Sequence, residues 1–110
     1  ANSFMVQKAV RYIEANYRKE ITLPDVADEV KLHPNYFSTL FKNETGVTFV
    51  RYLRRYRIQK ALQLMKDSSL KLYEIGELIG YPDTTTFYRV FKEEMDMSPN
   101  QYRKMIDIDK

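Results

Sequence analysis

Hydrophobic residues recur at helical spacing along most of the chain. Val6, Val10, Ile13 and Tyr17 are separated by four, three and four residues, which places them on one face of an α-helix. Alternation typical of strands is scarce, and only three glycines and four prolines interrupt the 110 residues. The pattern therefore predicts an all-α fold with about seven helices and no sheet.

Capping residues indicate where the first helices begin and end. The segment Thr22–Asp25 combines an N-cap threonine, a proline in the first turn and an acid three residues after the cap, which is how short helices open. Pro34 is suited to the first turn of the next helix. We expect that helix to run to about Glu44 and to stop near Gly46, a residue suited to a left-handed cap.

Similar signals divide the second half of the chain. Thr48 is expected to cap a longer helix that runs to about Asp67. A short helix then ends near residues 80–82, and Asp83 caps the one after it. The segment 98–101 has the cap, the proline and the glutamine that open a final short helix.

One sequence pattern occurs twice in the chain. Phe37–Lys42 reads FSTLFK, and Phe87–Lys92 reads FYRVFK 50 residues later. Each copy is a short helix, a tight turn and a longer helix, which is the helix-turn-helix arrangement of proteins that read the major groove. The predicted organisation is a first helix-turn-helix subdomain, a linker helix and a second helix-turn-helix subdomain, at residues 1–47, 48–67 and 68–110.

The second helix of each copy has a buried and a polar side. Phenylalanines and aliphatic residues at spacings of three and four form the expected core stripe: Phe37, Leu40 and Phe41, then Phe87, Val90 and Phe91. Small or hydrogen-bonding residues occupy the opposite side. Asn and Arg can make bidentate hydrogen bonds to the edges of adenine and guanine. The predicted base-reading residues are Asn35, Ser38, Thr39, Thr85, Thr86 and Arg89. The alternative for Arg89 is a surface ion pair with Glu93, four residues later.

Positive charge is concentrated on the linker helix, where no acid occurs between Glu44 and Asp67. The net charge is +3 and the sequence pI is near 9.1, which is compatible with a nucleic-acid partner. Cations on this helix and near the ends of the reading helices can neutralise backbone phosphates, although a solvated basic face is the alternative. The predicted phosphate contacts are Arg51, Arg54, Arg55, Lys42 and Lys92. Arg57 lies on the apolar side, where we expect a packed stem and a head paired with an acid.

At these residues the chain resembles the DNA-binding domain of the AraC/XylS transcriptional regulators, over about residues 6–103. The most specific matches lie in the second copy: Gly80-Tyr81, Phe87, Arg89, Phe91-Lys92, Ser98-Pro99 and Tyr102-Arg103. The resemblance implies two helix-turn-helix subdomains that enter adjacent major-groove segments of double-stranded DNA. Phe49 and Asp96 depart from the family pattern, in which Pro and Gly are frequent at those positions.

The resemblance also implies partners outside this sequence. Such domains usually follow an N-terminal sensor or receiver domain, and contact with RNA polymerase is possible for them. The chain begins with Ala1 rather than Met, and we expect it to be part of a longer, bacterial and cytoplasmic protein.

Other classes of function fit the residues less well. There is one histidine, no cysteine and no glycine-rich phosphate loop, so the chain lacks the convergent groups of an enzyme. We expect no cofactor, no metal and no membrane segment, since no apolar run approaches the roughly 18 residues of a span. The remaining alternative is a helical protein-interaction module that does not bind DNA. Binding to random duplex DNA at two salt concentrations separates the two, because only DNA binding weakens steeply with salt.

Overall fold

The computed structural model describes residues 2–108, which form seven α-helices and no strand. The helices are α1 (Asn2–Asn16), α2 (Leu23–Glu29), α3 (Pro34–Thr45), α4 (Phe49–Leu64), α5 (Leu72–Leu78), α6 (Thr84–Met95) and α7 (Pro99–Ile108). The all-α prediction is confirmed. The chain divides into two compact units, and the division falls inside α4, between Tyr56 and Arg57. The first helix-turn-helix is α2–α3, and the second is α5–α6.

Two predicted caps are present as reciprocal pairs of hydrogen bonds. The Thr22 hydroxyl accepts a bond from the Asp25 amide at 3.3 Å, and the Asp25 carboxylate accepts one from the Thr22 amide at 2.9 Å. At the start of α7, Ser98 and Gln101 exchange the same bonds at 3.1 and 2.8 Å. Such boxes satisfy amides that a helix start leaves unpaired, which is why these positions open helices.

Each unit has an aromatic core built on the same repeat. In the first unit the rings of Phe37 and Phe41 have centroids 5.6 Å apart, and Tyr52 meets Phe41 edge-on at 5.5 Å. In the second unit the ring centroids of Phe87 and Phe91 are 6.0 Å apart, and Tyr102 meets Phe91 edge-on at 5.9 Å. The four phenylalanines are fully buried, as predicted.

Burial also affects the phenol of Tyr52. Desolvation, with smaller contributions from the charge of Glu14 and from Tyr56, raises the pKa of Tyr52 above its ordinary value of 10.0. The side chain is therefore neutral at physiological pH and packs as an aromatic ring.

The linker helix ends earlier than predicted, at Leu64 rather than near Asp67. The amides of Lys66 and Asp67 bond to carbonyls three residues back, at 3.3 and 3.0 Å, and so form a tighter turn. Arg103 of α7 donates from one terminal nitrogen to the Leu70 carbonyl at 2.7 Å, and from the other to the Met65 and Asp67 carbonyls at 3.3 Å each. One guanidinium thus bonds to three carbonyls of the turn that follows α4.

Arg57 is buried within the second unit, with 7% of its surface exposed. Its guanidinium carbon lies 4.9 Å from the centroid of the Tyr81 ring, in the turn between α5 and α6. A desolvated cation over an aromatic face is attracted by the ring quadrupole, so Arg57 helps to hold this turn. The expected burial is confirmed, and the expected acidic partner stays a prediction.

Within residues 2–108, no helix has both the length and the apolar character needed to cross a bilayer.

Candidate nucleic-acid interface

The first reading helix, α3, begins at a histidine cap. The Nδ1 atom of His33 accepts a hydrogen bond from the Asn35 amide at 3.2 Å, and Pro34 occupies the first helical turn. Asn35 is consequently held in the first turn with its side chain exposed, and Ser38 and Thr39 are exposed after it. The Thr39 hydroxyl donates to the Asn35 carbonyl at 3.3 Å, which still leaves the hydroxyl oxygen able to accept.

The second reading helix, α6, begins at Asp83, which uses both carboxylate oxygens. One accepts from the Thr85 amide at 3.1 Å, and the other accepts from the Thr86 hydroxyl at 3.0 Å. Thr85 is exposed, whereas Thr86 is half-buried. Because the Thr86 proton is donated to the cap, this hydroxyl has less to offer a base edge than that of Thr85.

Arg89 lies on the exposed side of α6, as its position between two buried phenylalanines predicts. Its Nη1 atom donates to the Glu93 carboxylate at 3.1 Å, and the two side chains are 59% and 46% exposed. The alternative ion pair is therefore present. Exposed pairs at this spacing stabilise a helix by only about 0.3–0.5 kcal/mol, whereas two-bond pairing with guanine discriminates by about 1–3 kcal/mol.

Two tyrosines lie at positions whose counterparts in the other copy of the repeat are predicted base-reading residues. At an offset of 50 residues, Tyr36 corresponds to Thr86, and Tyr88 corresponds to Ser38. Tyr36 is 52% exposed in the first turn of α3. Tyr88 is half-buried, and its hydroxyl accepts a hydrogen bond from the side-chain amide nitrogen of Asn100 at 3.4 Å. The sequence carried this signal, but a search for small polar residues passes over tyrosine.

The candidate phosphate contacts differ in exposure. Lys42 and Lys92 are exposed in the last turns of α3 and α6, at equivalent positions of the repeat. On α4, Arg51 and Arg55 are exposed, whereas Arg54 is half-buried. Exposed cations reach phosphate at the lowest desolvation cost, so Arg54 is the weakest candidate of the set.

Two helix-turn-helix motifs in one chain, each with an exposed polar side on its second helix, define a class of DNA-binding protein. A sequence-family model described as a helix-turn-helix domain matches residues 26–105. The chain belongs to this family, the AraC-type helix-turn-helix domains of transcriptional regulators. This is a DNA-binding family rather than an enzyme family, in agreement with the sequence prediction.

Individual relatives and solved structures agree with the family match. The chain is 35% identical over 102 residues to the regulatory protein PocR of Salmonella typhimurium, covering 93% of this chain and 34% of PocR. It is similar to the C-terminal domain of AraT, a response regulator from Geobacillus stearothermophilus, with a TM-score of 0.88, 35% identity and coverage of 92% and 84%. It shares the fold of the DNA-binding domain of the transcriptional factor AdpA, solved with a target DNA, with a TM-score of 0.89, 17% identity and coverage of 96% and 95%.

Proposed function

We propose that the chain is the sequence-specific, double-stranded DNA-binding part of a bacterial transcriptional regulator, and that α3 and α6 enter adjacent major-groove segments. The observation that carries this proposal is the repeated exposed side of the two reading helices. In each helix a hydrogen-bonding residue lies in the first turn, another hydrogen-bonding residue lies one turn further along, and a lysine lies in the last turn. These residues are Asn35, Thr39 and Lys42 in α3, and Thr85, Arg89 and Lys92 in α6. A partner-helix module needs an apolar stripe at such positions, and these are polar.

The two kinds of contact have separate roles in this proposal. Asn35, Ser38, Thr39, Thr85, Thr86 and Arg89 read base edges, with Arg89 on guanine as the strongest single contact. Arg51, Arg54, Arg55, Lys42 and Lys92 neutralise phosphates, and so contribute affinity without sequence information. Of the threonines, Thr85 is better placed than Thr86 because its hydroxyl is not donated to the Asp83 cap.

The remaining partners follow from the relatives. The chain spans 34% of the length of PocR, and AraT is titled a response regulator. We propose that the full-length protein adds an N-terminal sensor or receiver domain, acts in the bacterial cytoplasm where its DNA is, and contacts RNA polymerase at promoters.

Arg89→Ala tests the proposed function. The 110-residue chain is used to select its preferred duplex from a random library, and affinities are then measured for the selected duplex and for the unselected pool. Loss of two-bond pairing should weaken binding to the selected duplex by about 1–3 kcal/mol, which is roughly 5- to 150-fold. Affinity for the pool should change much less, and preference at one base pair should relax.

The matched control is Arg11→Ala, which removes an equal charge from an exposed position of α1, outside both reading helices. An equal loss on both DNAs would assign Arg89 to phosphate. No loss on either would remove it from the interface, and a chain that selects no sequence at all would overturn sequence-specific binding.

A further inference from the structure

The Arg89–Glu93 pair places an acid on the side of α6 that the proposed function turns toward DNA. At 3.1 Å the pair is close, and about half of each side chain is exposed, so it is made in solvent rather than imposed by the core. Neither residue is needed to bury the Phe87–Phe91 stripe.

The other copy of the repeat carries a different pair at the same two positions. Thr39 corresponds to Arg89, and Asn43 corresponds to Glu93. The acid thus occurs only in the copy that carries the arginine. As a result, the two residues at these positions carry no net charge together on either reading helix, although the chain as a whole is basic.

We propose that Glu93 is a specificity-determining residue that acts by masking Arg89 from phosphate, an inference that rests on the DNA-binding function proposed above. On a random duplex the guanidinium can gain only a phosphate contact, and it must leave Glu93 for it while the carboxylate comes near the negatively charged backbone. On a duplex with guanine in reach, two directed hydrogen bonds replace the one to Glu93. Glu93 therefore weakens non-specific binding more than specific binding, which is discrimination by penalising the wrong partner.

The magnitude follows from counterion release. Each phosphate that a protein neutralises changes the slope of log K against log salt by about 0.9 on duplex DNA. Unmasking Arg89 should add one such contact on random DNA. Relative to binding at 1 M salt, one added contact raises the affinity at 0.1 M salt by at most about eightfold. On the selected duplex Arg89 is already engaged with a base, so the gain there should stay within about twofold.

The test is Glu93→Gln, which keeps the size of the side chain and removes its charge. Binding of the 110-residue chain is measured with the unselected duplex pool and with the duplex that the unmodified chain selects, over a series of salt concentrations. We expect affinity for the pool to rise about three- to eightfold at 0.1 M salt, the salt slope on the pool to steepen by about one unit, and the ratio of the two affinities to fall.

The matched control is Glu44→Gln. Glu44 is an exposed acid at the end of α3, and the residue four positions before it is the buried Leu40 rather than an arginine. The substitution makes the same change in net charge without an arginine to unmask. An equal effect of Glu44→Gln and Glu93→Gln would reduce the result to overall charge and overturn the inference.

A second control asks whether Glu93 acts through Arg89. In an Arg89→Ala background, Glu93→Gln should behave like Glu44→Gln, because nothing remains to be unmasked. The same gain in both backgrounds would mean that Glu93 repels phosphate by itself, and the masking role would be wrong. If the unmodified chain binds neither DNA, the proposed function fails instead, so the two failures are distinct.

Discussion

Four residues with left-handed backbone lie at equivalent places in the two copies of the repeat. The turn before each reading helix has one, Lys31 at φ 59° and Gly80 at φ 99°, and the end of each reading helix has another, Gly46 at φ 82° and Asp96 at φ 58°. Each pair thus contains one glycine and one residue with a side chain. The left-handed conformation costs a residue with a Cβ about 1–2 kcal/mol and costs glycine almost nothing.

Lys31→Gly should therefore stabilise the first unit. The relief of backbone strain exceeds the entropy that glycine loses on folding, so we expect a net gain of about 0.5–1 kcal/mol. The measurement is the midpoint of urea unfolding. Lys31→Ala is the matched control because it removes the same side chain and keeps the strain; a gain as large as that of glycine would point to the lysine charge instead of the backbone.

The core phenylalanines set the stability of each unit. Phe41 and Phe91 are fully buried at equivalent positions, and replacement of either by alanine should cost about 3–5 kcal/mol. Against a total of roughly 5–15 kcal/mol, this is enough to unfold one unit. Urea unfolding followed by circular dichroism measures it, with the half-exposed Tyr73→Ala as control. A loss below about 1 kcal/mol at both phenylalanines would contradict the assigned core.

At the scale of the element, α4 is shared between two tasks. Its buried side supplies Phe49, Leu53, Ile58 and Ala61 to the two units, and its exposed side carries Arg51 and Arg55. The turn after the helix is held by Arg103, which donates to three of its carbonyls. The segment after α4 is thus tied to α7 by a residue that lies far from it in sequence.

Arg55→Ala should weaken binding to selected and random duplexes alike. Loss of one phosphate contact flattens the salt slope by about one unit. The slope is measured on the random pool between low and physiological salt. Arg54→Ala offers a comparison within the same turn: because Arg54 is half-buried, we expect it to lower stability more and the slope less. If the salt slope is unchanged in both variants, this side of α4 faces solvent and does not contact phosphate.

At the scale of the whole molecule, we predict that DNA is read in two parts, one by each copy of the repeat. The residues of α4 are divided between the two units. Recognition helices that share one side of a duplex read segments about 34 Å apart, which is one turn of about ten base pairs. We predict that Asn35 and Arg89 read segments at this separation.

Insertion of about five base pairs between the two halves of the selected duplex should abolish joint binding, because half a turn places the second segment on the opposite side. Affinity should fall to that of a duplex with one half scrambled. The same insertion outside the site is the control. Affinity that is insensitive to the central insertion would mean that only one of the two helices reads DNA.

Sequence by itself was sufficient for the features that depend on neighbours in the chain. Caps such as Thr22 and Ser98 and the aromatic stripes of α3 and α6 use residues within four positions of one another, and this spacing is visible without a fold. The repeat then supplied the two helix-turn-helix units, since the same local signals occur twice.

Tertiary structure decided where distant residues meet and which of several local bonds forms. Arg103 reaches the carbonyls of Met65, Asp67 and Leu70, more than 30 residues away, and no spacing rule predicts such a contact or the earlier end of α4. Arg57 was placed on the buried side by periodicity, but the ring it meets, Tyr81, is set by how α4 and the turn pack. Both the Arg89–Glu93 pair and a free Arg89 were compatible with the sequence, and in the folded structure Arg89 donates to Glu93 at 3.1 Å.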